Sequence, residues 1–298
     1  MPPRDFPAES PRLLLERLGL APRKKHGQNF LHDRNIARKI VALAVGMGPP
    51  FLEIGPGLGA LTDLLAAAEL PAVAVELDRG FAAFLRARYE GCSVEVLEGD
   101  FLRIPDEDWV MRFPKGGTAV GNLPYSISSA ILLRLIGIRR IFPRAVLMLQ
   151  KEVVERLCAP PGGKEYGVLS VYLSVLSEVR EEFPVPRTCF TPPPGVDSAV
   201  VTVRFGGDIS DPEFRSLQTV VRTAFAHRRK KLRNAPARFL PGGTEEWCAL
   251  LEKSGIDPGA RAETVFPQHY IQLARLVSGK APPGHGTGRS EPDDPGTK

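Results

Sequence analysis

Cysteine is scarce in this 298-residue chain. The four cysteines stand far apart, at positions 92, 158, 189 and 248, and no two of them form a Cys-x-x-Cys pair. Such separated thiols lack the paired spacing of a structural zinc site or of a disulfide framework. We therefore expect no bound metal, and we expect a protein of a reducing compartment.

Long hydrophobic runs are also missing, since no stretch approaches the roughly 18 apolar residues that a membrane span needs. The first ten residues, MPPRDFPAES, lack the apolar core of a signal peptide. Net charge is small, because 39 Lys and Arg against 34 Asp and Glu give +5. We expect a soluble, cytoplasmic protein without membrane contact. Hydrophobic residues make up 43% of the chain, which excludes a mostly disordered protein, and the length predicts two domains.

From residue 51 onward, apolar segments alternate with segments of helical periodicity. The predicted strands are residues 51–54, 72–77, 93–97, 117–123 and 144–150, and the predicted helices lie near 60–68, 80–89 and 127–138. This alternation predicts an α/β fold, a Rossmann-like parallel sheet with helices on both faces. Residues 169–176 and 198–205 are β-rich with a short connection, which suggests antiparallel strands added at one edge of the sheet.

Composition divides the chain into four segments. Residues 1–28 form an N-terminal extension that turns basic near its end, and residues 29–205 hold the α/β domain. Residues 206–278 carry three helical patterns and predict a small helical C-terminal domain. The tail, residues 279–298, is rich in glycine and proline and is expected to be disordered.

A glycine-rich segment, EIGPGLG at residues 53–59, follows the first predicted strand. Its position is the ligand crevice of a doubly wound sheet, and Gly55 and Gly57 allow close approach of the backbone to a ligand. Glu76, at the end of the next strand, has the right position to accept hydrogen bonds from ribose hydroxyls. Both features are shared by NAD enzymes and S-adenosylmethionine enzymes. A solvated carboxylate is the plainer interpretation of Glu76.

The third strand ends at Asp100, followed by Phe101. Asp100 is suited to accept a hydrogen bond from an adenine amino group, and Phe101 to pack on the ring. A purely structural capping role for Asp100 is the alternative.

The fourth strand ends in Asn122, Leu123, Pro124 and Tyr125. The exocyclic amine of adenine is a poor nucleophile because its lone pair is delocalised into the ring. The Asn122 side-chain oxygen and the Leu123 carbonyl can both accept hydrogen bonds from that amine and align it with a methyl donor. Pro124 biases Leu123 towards an extended backbone, and Tyr125 offers a flat face for stacking. The plainer alternative is a proline turn with a buried tyrosine.

Together these segments resemble the small-subunit ribosomal RNA adenine dimethyltransferases, the KsgA family. The resemblance covers residues 24 to 278, and its further motifs are GQNFL at 27–31, NLPYSIS at 122–128, TPPPGVDS at 191–198 and FAHRRKKLRN at 225–234. Two positions depart from the family's usual pattern: Gly195, where lysine is common, and Lys231, where a second lysine is uncommon.

The resemblance implies S-adenosylmethionine as the methyl donor and N6,N6-dimethylation of two adjacent adenosines. The substrate would be a hairpin loop near the 3′ end of small-subunit rRNA in the assembling subunit, and the protein would be a monomer. By similarity, the cofactor would be lined by Asn29, Leu31, Gly55, Gly57, Glu76, Asp100 and Asn122.

Three rival functions share parts of this pattern. A large-subunit rRNA dimethyltransferase of the macrolide-resistance type would have the same sheet and cofactor site. A NAD oxidoreductase would use the glycine turn, because Gly55, Gly57 and Ala60 also satisfy the Gly-x-Gly-x-x-Ala pattern. An assembly factor would use the chain for binding more than for catalysis.

Basic residues cluster in two places, and we expect both clusters to contact RNA. The first cluster is Arg23, Lys24 and Lys25. The second includes Arg222, Arg228, Arg229, Lys230 and Lys231. Four consecutive cations cannot share one helical face, so the helix must end near His227 or some of them must lie beside the core. Phe190, ahead of the proline-rich loop, is expected either to face the target base or to lie in the core.

Overall fold

The computed structural model describes Phe6 and residues 9–20, 28–207 and 209–279. Within these residues the strands are β1 (Phe30–Leu31), β2 (Phe51–Ile54), β3 (Ala72–Glu76), β4 (Val94–Glu98), β5 (Thr118–Asn122), β6 (Arg144–Gln150), β7 (Ser177–Val185), β8 (Phe190–Thr191) and β9 (Ser198–Phe205). The helices are α1 (Pro11–Leu18), α2 (Arg34–Met47), α3 (Thr62–Ala67), α4 (Arg79–Arg88), α5 (Asp106–Arg112), α6 (Ser128–Gly137), α7 (Lys151–Leu157), α8 (Val168–Leu176), α9 (Asp211–Phe225), α10 (Gly243–Lys253) and α11 (Pro267–Ser278).

Seven of the described strands form one sheet in the order β4-β3-β2-β5-β6-β9-β7. The first five of these are parallel, and β9 is antiparallel to both β6 and β7. The chain builds outward from β2 in one direction through β3 and β4, and in the other through β5 and β6. The strand order therefore reverses between β2 and β5, which is where sheets of this type bind their ligands.

Both faces of the sheet are covered, because every residue of β2 and of β3 is buried. Such continuous apolar strands are typical of parallel sheets packed between helices. One large apolar core joins α2, with Ile40 and Ala44 fully buried, to sheet residues such as Phe51 and Val146. Asp33 caps α2 by accepting hydrogen bonds from the backbone N–H groups of Asn35 and Ile36. The predicted α/β, Rossmann-like fold is confirmed.

The prediction of a strand over residues 169–176 is wrong. These residues belong to helix α8, and the antiparallel edge strand is β7, which begins directly after it at Ser177. Most of α8 is buried, and most of its own residues are apolar. Its sequence therefore carries neither a clear helical period nor a clear strand period. In contrast, β7 is largely half-buried or exposed and contains Glu and Arg, as expected of a sheet edge.

Tertiary contacts divide the chain into two compact units, Met1–Ile209 with Glu263–Pro267, and Ser210–Ala262 with Gln268–Lys298. The sequence places the break at residue 206 and gives no sign that residues 263–267 return to the first unit. There the Gly162 N–H donates to the Glu263 carbonyl at 2.7 Å. In the second unit, α9, α10 and α11 bury Leu217, Trp247 and Tyr270. The predicted disordered tail lies outside the described residues from 280 onward.

Candidate active site

The carboxyl ends of the central strands surround a cavity of about 270 Å³. The cavity is lined by nine of the residues that the sequence singles out: Asn29, Gly55, Glu76, Asp100, Phe101, Asn122, Leu123, Pro124 and Tyr125. They come from the segment before β1, from the last residues of β3 and β5, and from the turns after β2, β4 and β5. The sheet topology thus brings together residues that are up to 96 positions apart in the chain.

The glycine turn after β2 is held against the end of β3. The Gly57 N–H donates to the Glu76 Oε2 at 3.0 Å, and Gly57 adopts a positive φ of 58°. A Cβ on Gly57 would lie 3.2 Å from the Phe30 ring, so both the backbone angle and the space disfavour a side chain. Gly57 itself is not among the described residues that line the cavity, and its role there is to fix Glu76.

Glu76 is 5% exposed and anchored by two backbone donors. Its second oxygen, Oε1, accepts from the Asp78 N–H at 2.8 Å. Burial raises the pKa of Glu76, while the hydrogen bonds from Asp78 and Gly57 act in the opposite direction. Each carboxylate oxygen has a further acceptor site beyond these bonds. A carboxylate of this kind is suited to accept hydrogen bonds from a pair of neighbouring hydroxyls.

Asp100 and Phe101 form another wall of the cavity after β4. The Asp100 Oδ1 accepts from the Leu102 N–H at 3.0 Å, so part of its role is to shape the local turn. Phe101 is 5% exposed, and its ring centroid lies 5.9 Å from that of Trp109. The turn thus presents an acid and an aromatic ring to the same space.

Asn122 is half-buried at the end of β5, and its amide orientation is determined by a neighbour. The Asn122 Nδ2 donates to the Asn29 backbone carbonyl at 3.1 Å. Because a carbonyl oxygen only accepts, the nitrogen must face Asn29. Oδ1 is therefore the acceptor that Asn122 offers to the cavity.

The next three residues continue this wall of the cavity. The Leu123 N–H donates to the Met148 carbonyl of β6 at 3.1 Å, which fixes the peptide beyond the end of β5. The Tyr125 hydroxyl lies 2.6 Å from the Ser198 Oγ of β9. Burial raises the pKa of Tyr125, so its phenol stays neutral at physiological pH. The ring of Tyr125 is thereby tethered at its far end.

Leu31 and Phe190 lie away from the cavity. Leu31 is 5% exposed and Phe190 is 2% exposed, and they pair across the short β1–β8 ladder within the core. The structure thus supports the core interpretation of Phe190. The side chain of Leu31 packs among apolar residues, and Leu31 is not among the described residues that line the cavity.

The sequence reasoning missed several lining residues, namely Gln28, Leu77, Asp78, Ile127 and Ile131. Leu77 and Ile127 are apolar yet 51% and 36% exposed. An exposed aliphatic side chain directly after the acid at the end of β3 suits packing against a flat ring. The position of Leu77 next to Glu76 was the signal that could have identified it.

The C-terminal basic segment is exposed. Helix α9 ends at Phe225, so Arg228, Arg229, Lys230 and Lys231 lie beyond it, and Arg222 is exposed on its last turn. Leu232, immediately after the four cations, is buried and accepts from the Trp247 Nε1 at 2.9 Å. The first basic cluster, Arg23, Lys24 and Lys25, lies outside the described residues.

Within residues 9–20, 28–207 and 209–279, no group of three or more His, Cys, Asp or Glu side chains is arranged to hold a metal ion. The helices of the same ranges do not combine the length and apolar character required to cross a membrane.

The fold and the cavity together define a Rossmann-like methyltransferase. Two solved structures share this fold over most of the chain. A dimethyladenosine transferase from Plasmodium falciparum gives a TM-score of 0.68 at 27% identity, covering 84% of this chain and 98% of that one. The 23S rRNA methyltransferase ErmE gives a TM-score of 0.60 at 26% identity, covering 83% and 98%.

Residues 19–278 match the family model for ribosomal RNA adenine dimethylases, and the chain belongs to this family. It is 42% identical over 277 residues to ribosomal RNA small subunit methyltransferase A of Pelotomaculum thermopropionicum, covering 88% of this chain and 94% of the relative. It is 43% identical over 267 residues to the protein of the same name from Syntrophotalea carbinolica, covering 86% and 97%. The resemblance drawn from the sequence motifs is confirmed.

Proposed function

We propose that this enzyme transfers methyl groups from S-adenosylmethionine to N6 of two adjacent adenosines near the 3′ end of small-subunit rRNA. The observation that carries the proposal is the meeting of Glu76 with Asn122, Leu123 and Tyr125 in one cavity. The small-subunit target is supported by relatives at 42–43% identity, whereas the 23S rRNA enzyme shares 26%. The large-subunit target is the weaker alternative.

The residues of the cavity fit S-adenosylmethionine. Glu76 has acceptor sites for the two ribose hydroxyls, and Asp100 and Phe101 suit an adenine amino group and ring. Gly55 leaves its backbone open to the cavity, and a Cβ there would protrude towards Pro124, 3.8 Å from its Cδ. When bound, this cofactor supplies an electrophilic methyl group on a positively charged sulfur.

The wall formed by residues 122–125 would hold the target base. The Asn122 Oδ1 and the Leu123 carbonyl would each accept a hydrogen bond from the adenine amine. Two acceptors on one nitrogen orient its lone pair and favour the positive charge that develops there during transfer. Tyr125, tethered to Ser198, would stack on a base that has been unstacked from its RNA.

The transfer requires no covalent intermediate and no strong base from the protein. Once methylated, the amine is acidic enough to lose its proton to water. A second methyl transfer requires the monomethyl amine to rotate within the cavity, so that its remaining hydrogen and lone pair take the original orientation.

The exposed cations Arg222, Arg228, Arg229, Lys230 and Lys231 would contact the RNA backbone together with the 23–25 cluster. Contacts to phosphate release counterions, so RNA affinity should fall as salt concentration rises. We expect a monomer that acts in the cytoplasm, where the assembling small subunit is its partner.

Methyl incorporation tests this proposal. Purified protein and labelled S-adenosylmethionine are incubated with unmodified small and large ribosomal subunits in separate reactions. We expect label in the small subunit, recovered as N6,N6-dimethyladenosine after digestion. Label confined to the large subunit would support the macrolide-resistance type instead. A thermal shift with NAD but none with S-adenosylhomocysteine would support an oxidoreductase.

A further inference from the structure

A second group of polar side chains lies behind the glycine turn, outside the cavity. Tyr89 follows the last residue of α4, is 2% exposed, and its hydroxyl donates to the Asp63 Oδ1 at 2.7 Å. Arg88 donates two hydrogen bonds to the same carboxylate, from Nε to Oδ1 at 2.7 Å and from Nη2 to Oδ2 at 2.9 Å. We call Asp63, Arg88 and Tyr89 the Tyr89 cluster.

The Tyr89 hydroxyl fits directly against Gly59, the last residue of the glycine turn. A Cβ on Gly59 would lie only 2.2 Å from the Tyr89 oxygen, and Gly59 has a φ of +88°. The Gly59 carbonyl accepts from the Asp63 N–H at 2.8 Å and lies 3.4 Å from the Tyr89 hydroxyl. The hydroxyl therefore occupies the space that a side chain would need, and the cluster holds the turn from behind.

The cluster itself has little freedom to move. A bidentate guanidinium–carboxylate pair fixes both partners in one plane, and the side chains of Arg88 and Asp63 are only 15% and 20% exposed. The hydrogen bond to Asp63 raises the pKa of Arg88, so the guanidinium remains positively charged. The Phe6 ring covers the cluster, 5.4 Å from the Tyr89 ring and 5.2 Å from the Arg88 guanidinium carbon.

The glycine turn links the Tyr89 cluster to the cavity. Gly57, two residues before Gly59, donates its N–H to Glu76 at 3.0 Å. The turn is thus held by Glu76 on the cavity side and by Tyr89 on the far side. Tyr89 is not among the described residues that line the cavity, and its contact with Gly59 connects it to the turn that does hold Glu76.

We propose that Tyr89 is a positioning residue for the methyl donor. Through Asp63 and Gly59 it fixes the backbone position of the glycine turn, and that backbone orients Glu76 for the ribose hydroxyls. This inference rests on the proposed function, since it concerns binding of S-adenosylmethionine. A displaced turn would weaken ground-state binding of the cofactor. It would leave the groups that hold the adenine amine unchanged.

The first test compares Tyr89→Phe with Tyr166→Phe by calorimetric binding of S-adenosylhomocysteine and by steady-state kinetics. Tyr166 is a matched control in the same unit, 1% exposed, with its hydroxyl 3.3 Å from the Val265 carbonyl. For Tyr89→Phe we expect Kd and the KM for S-adenosylmethionine to rise about tenfold, with kcat within about twofold. For Tyr166→Phe we expect the Kd and the KM to stay near the wild-type values even if the melting temperature falls.

The second test is a double-mutant cycle with Gly59→Ala. The positive φ strains alanine equally in both backgrounds, so that part cancels. The clash with the hydroxyl exists only when Tyr89 is present, so Gly59→Ala should weaken binding less in the Tyr89→Phe background. Equal losses in both backgrounds, or equal affinities of the two Tyr→Phe variants, would overturn the positioning role. Failure of the wild-type chain to bind S-adenosylhomocysteine would instead refute the proposed function.

Discussion

Replacing Asn122 by alanine tests a contact that the structure shows and a catalytic role that we propose for the same side chain. The Nδ2 atom donates to the Asn29 carbonyl at 3.1 Å and so supports one wall of the cavity. The Oδ1 atom is the proposed acceptor for the adenine amine. Alanine removes both groups, but the two losses should appear in different constants.

The expected magnitudes differ by more than tenfold. A partly buried neutral hydrogen bond contributes about 1 kcal/mol, so losing the bond to Asn29 should weaken cofactor binding about fivefold. Losing a group that stabilises charge in the transition state lowers kcat by about 10²–10³-fold. Asn122→Ala should therefore be a severe kcat variant that still binds S-adenosylhomocysteine.

The assay is single-turnover methyl transfer to unmodified small subunits, with the Kd for S-adenosylhomocysteine measured by calorimetry. Asn35→Ala is the matched control, because Asn35 is exposed on α2 and its Oδ1 accepts from the exposed side chain of Arg38 at 3.1 Å. We expect this control to match wild type in both constants. Transfer by Asn122→Ala within about tenfold of wild type would refute the acceptor role, and a Kd raised more than about 100-fold would make the residue chiefly a cofactor-site support.

Three other parts of the chain give further predictions. Burial raises the pKa of Glu53 to about 8 from an ordinary 4.5, so the native state keeps this proton while the unfolded chain loses it. The free energy of unfolding should then fall as pH rises from about 4.5 to about 8, by at most about 1.4 kcal/mol per pH unit. Glu53→Gln should flatten that slope when the free energy is measured by urea titration at pH 5 to 8. Equal slopes of free energy against pH for the variant and the wild type would contradict this. Ser198→Ala and Tyr125→Phe should each lower kcat less than about tenfold, and the double variant should be no worse than either single one, since each removes the same hydrogen bond; additive losses would show separate roles. Replacing Arg228, Arg229, Lys230 and Lys231 by glutamine should weaken RNA binding, measured by filter binding, and leave the affinity for S-adenosylhomocysteine unchanged. The slope of log affinity against log salt should become smaller by about 0.9 for each phosphate that is no longer neutralised. An unchanged slope would mean that these cations are solvated and do not contact RNA.

The sequence predicted the parts of the fold that have a strong local signal. The strand at residues 51–54 and the glycine turn after it follow from an apolar run and from residues that permit a tight turn. Helix α8 was missed because seven of its nine residues are apolar, and burial, unlike periodicity, does not distinguish a helix from a strand. Strand β7 was missed because an exposed edge strand has no apolar run to mark it.

Most polar residues of the candidate site could be predicted from the sequence, but the contacts between them could not. The positions of Glu76, Asp100 and Asn122 at strand ends are sufficient to bring them to one edge of a parallel sheet. The bond from Asn122 to Asn29 joins residues 93 positions apart, and the Tyr125–Ser198 pair spans 73 positions. Such contacts depend on how β1 packs beside the large sheet and on how β9 pairs within it, and no local pattern records either arrangement.

Mass spectrometry of small-subunit rRNA from cells lacking the protein measures whether this chain dimethylates that rRNA, and complementation measures whether it does so through Asn122. We expect two adjacent adenosines near the 3′ end to be unmethylated in such cells. The wild-type gene should restore both modifications, and the Asn122→Ala gene should restore neither. Full methylation in the deletion strain would show that another enzyme makes this modification, and full restoration by Asn122→Ala would refute the catalytic role of Asn122.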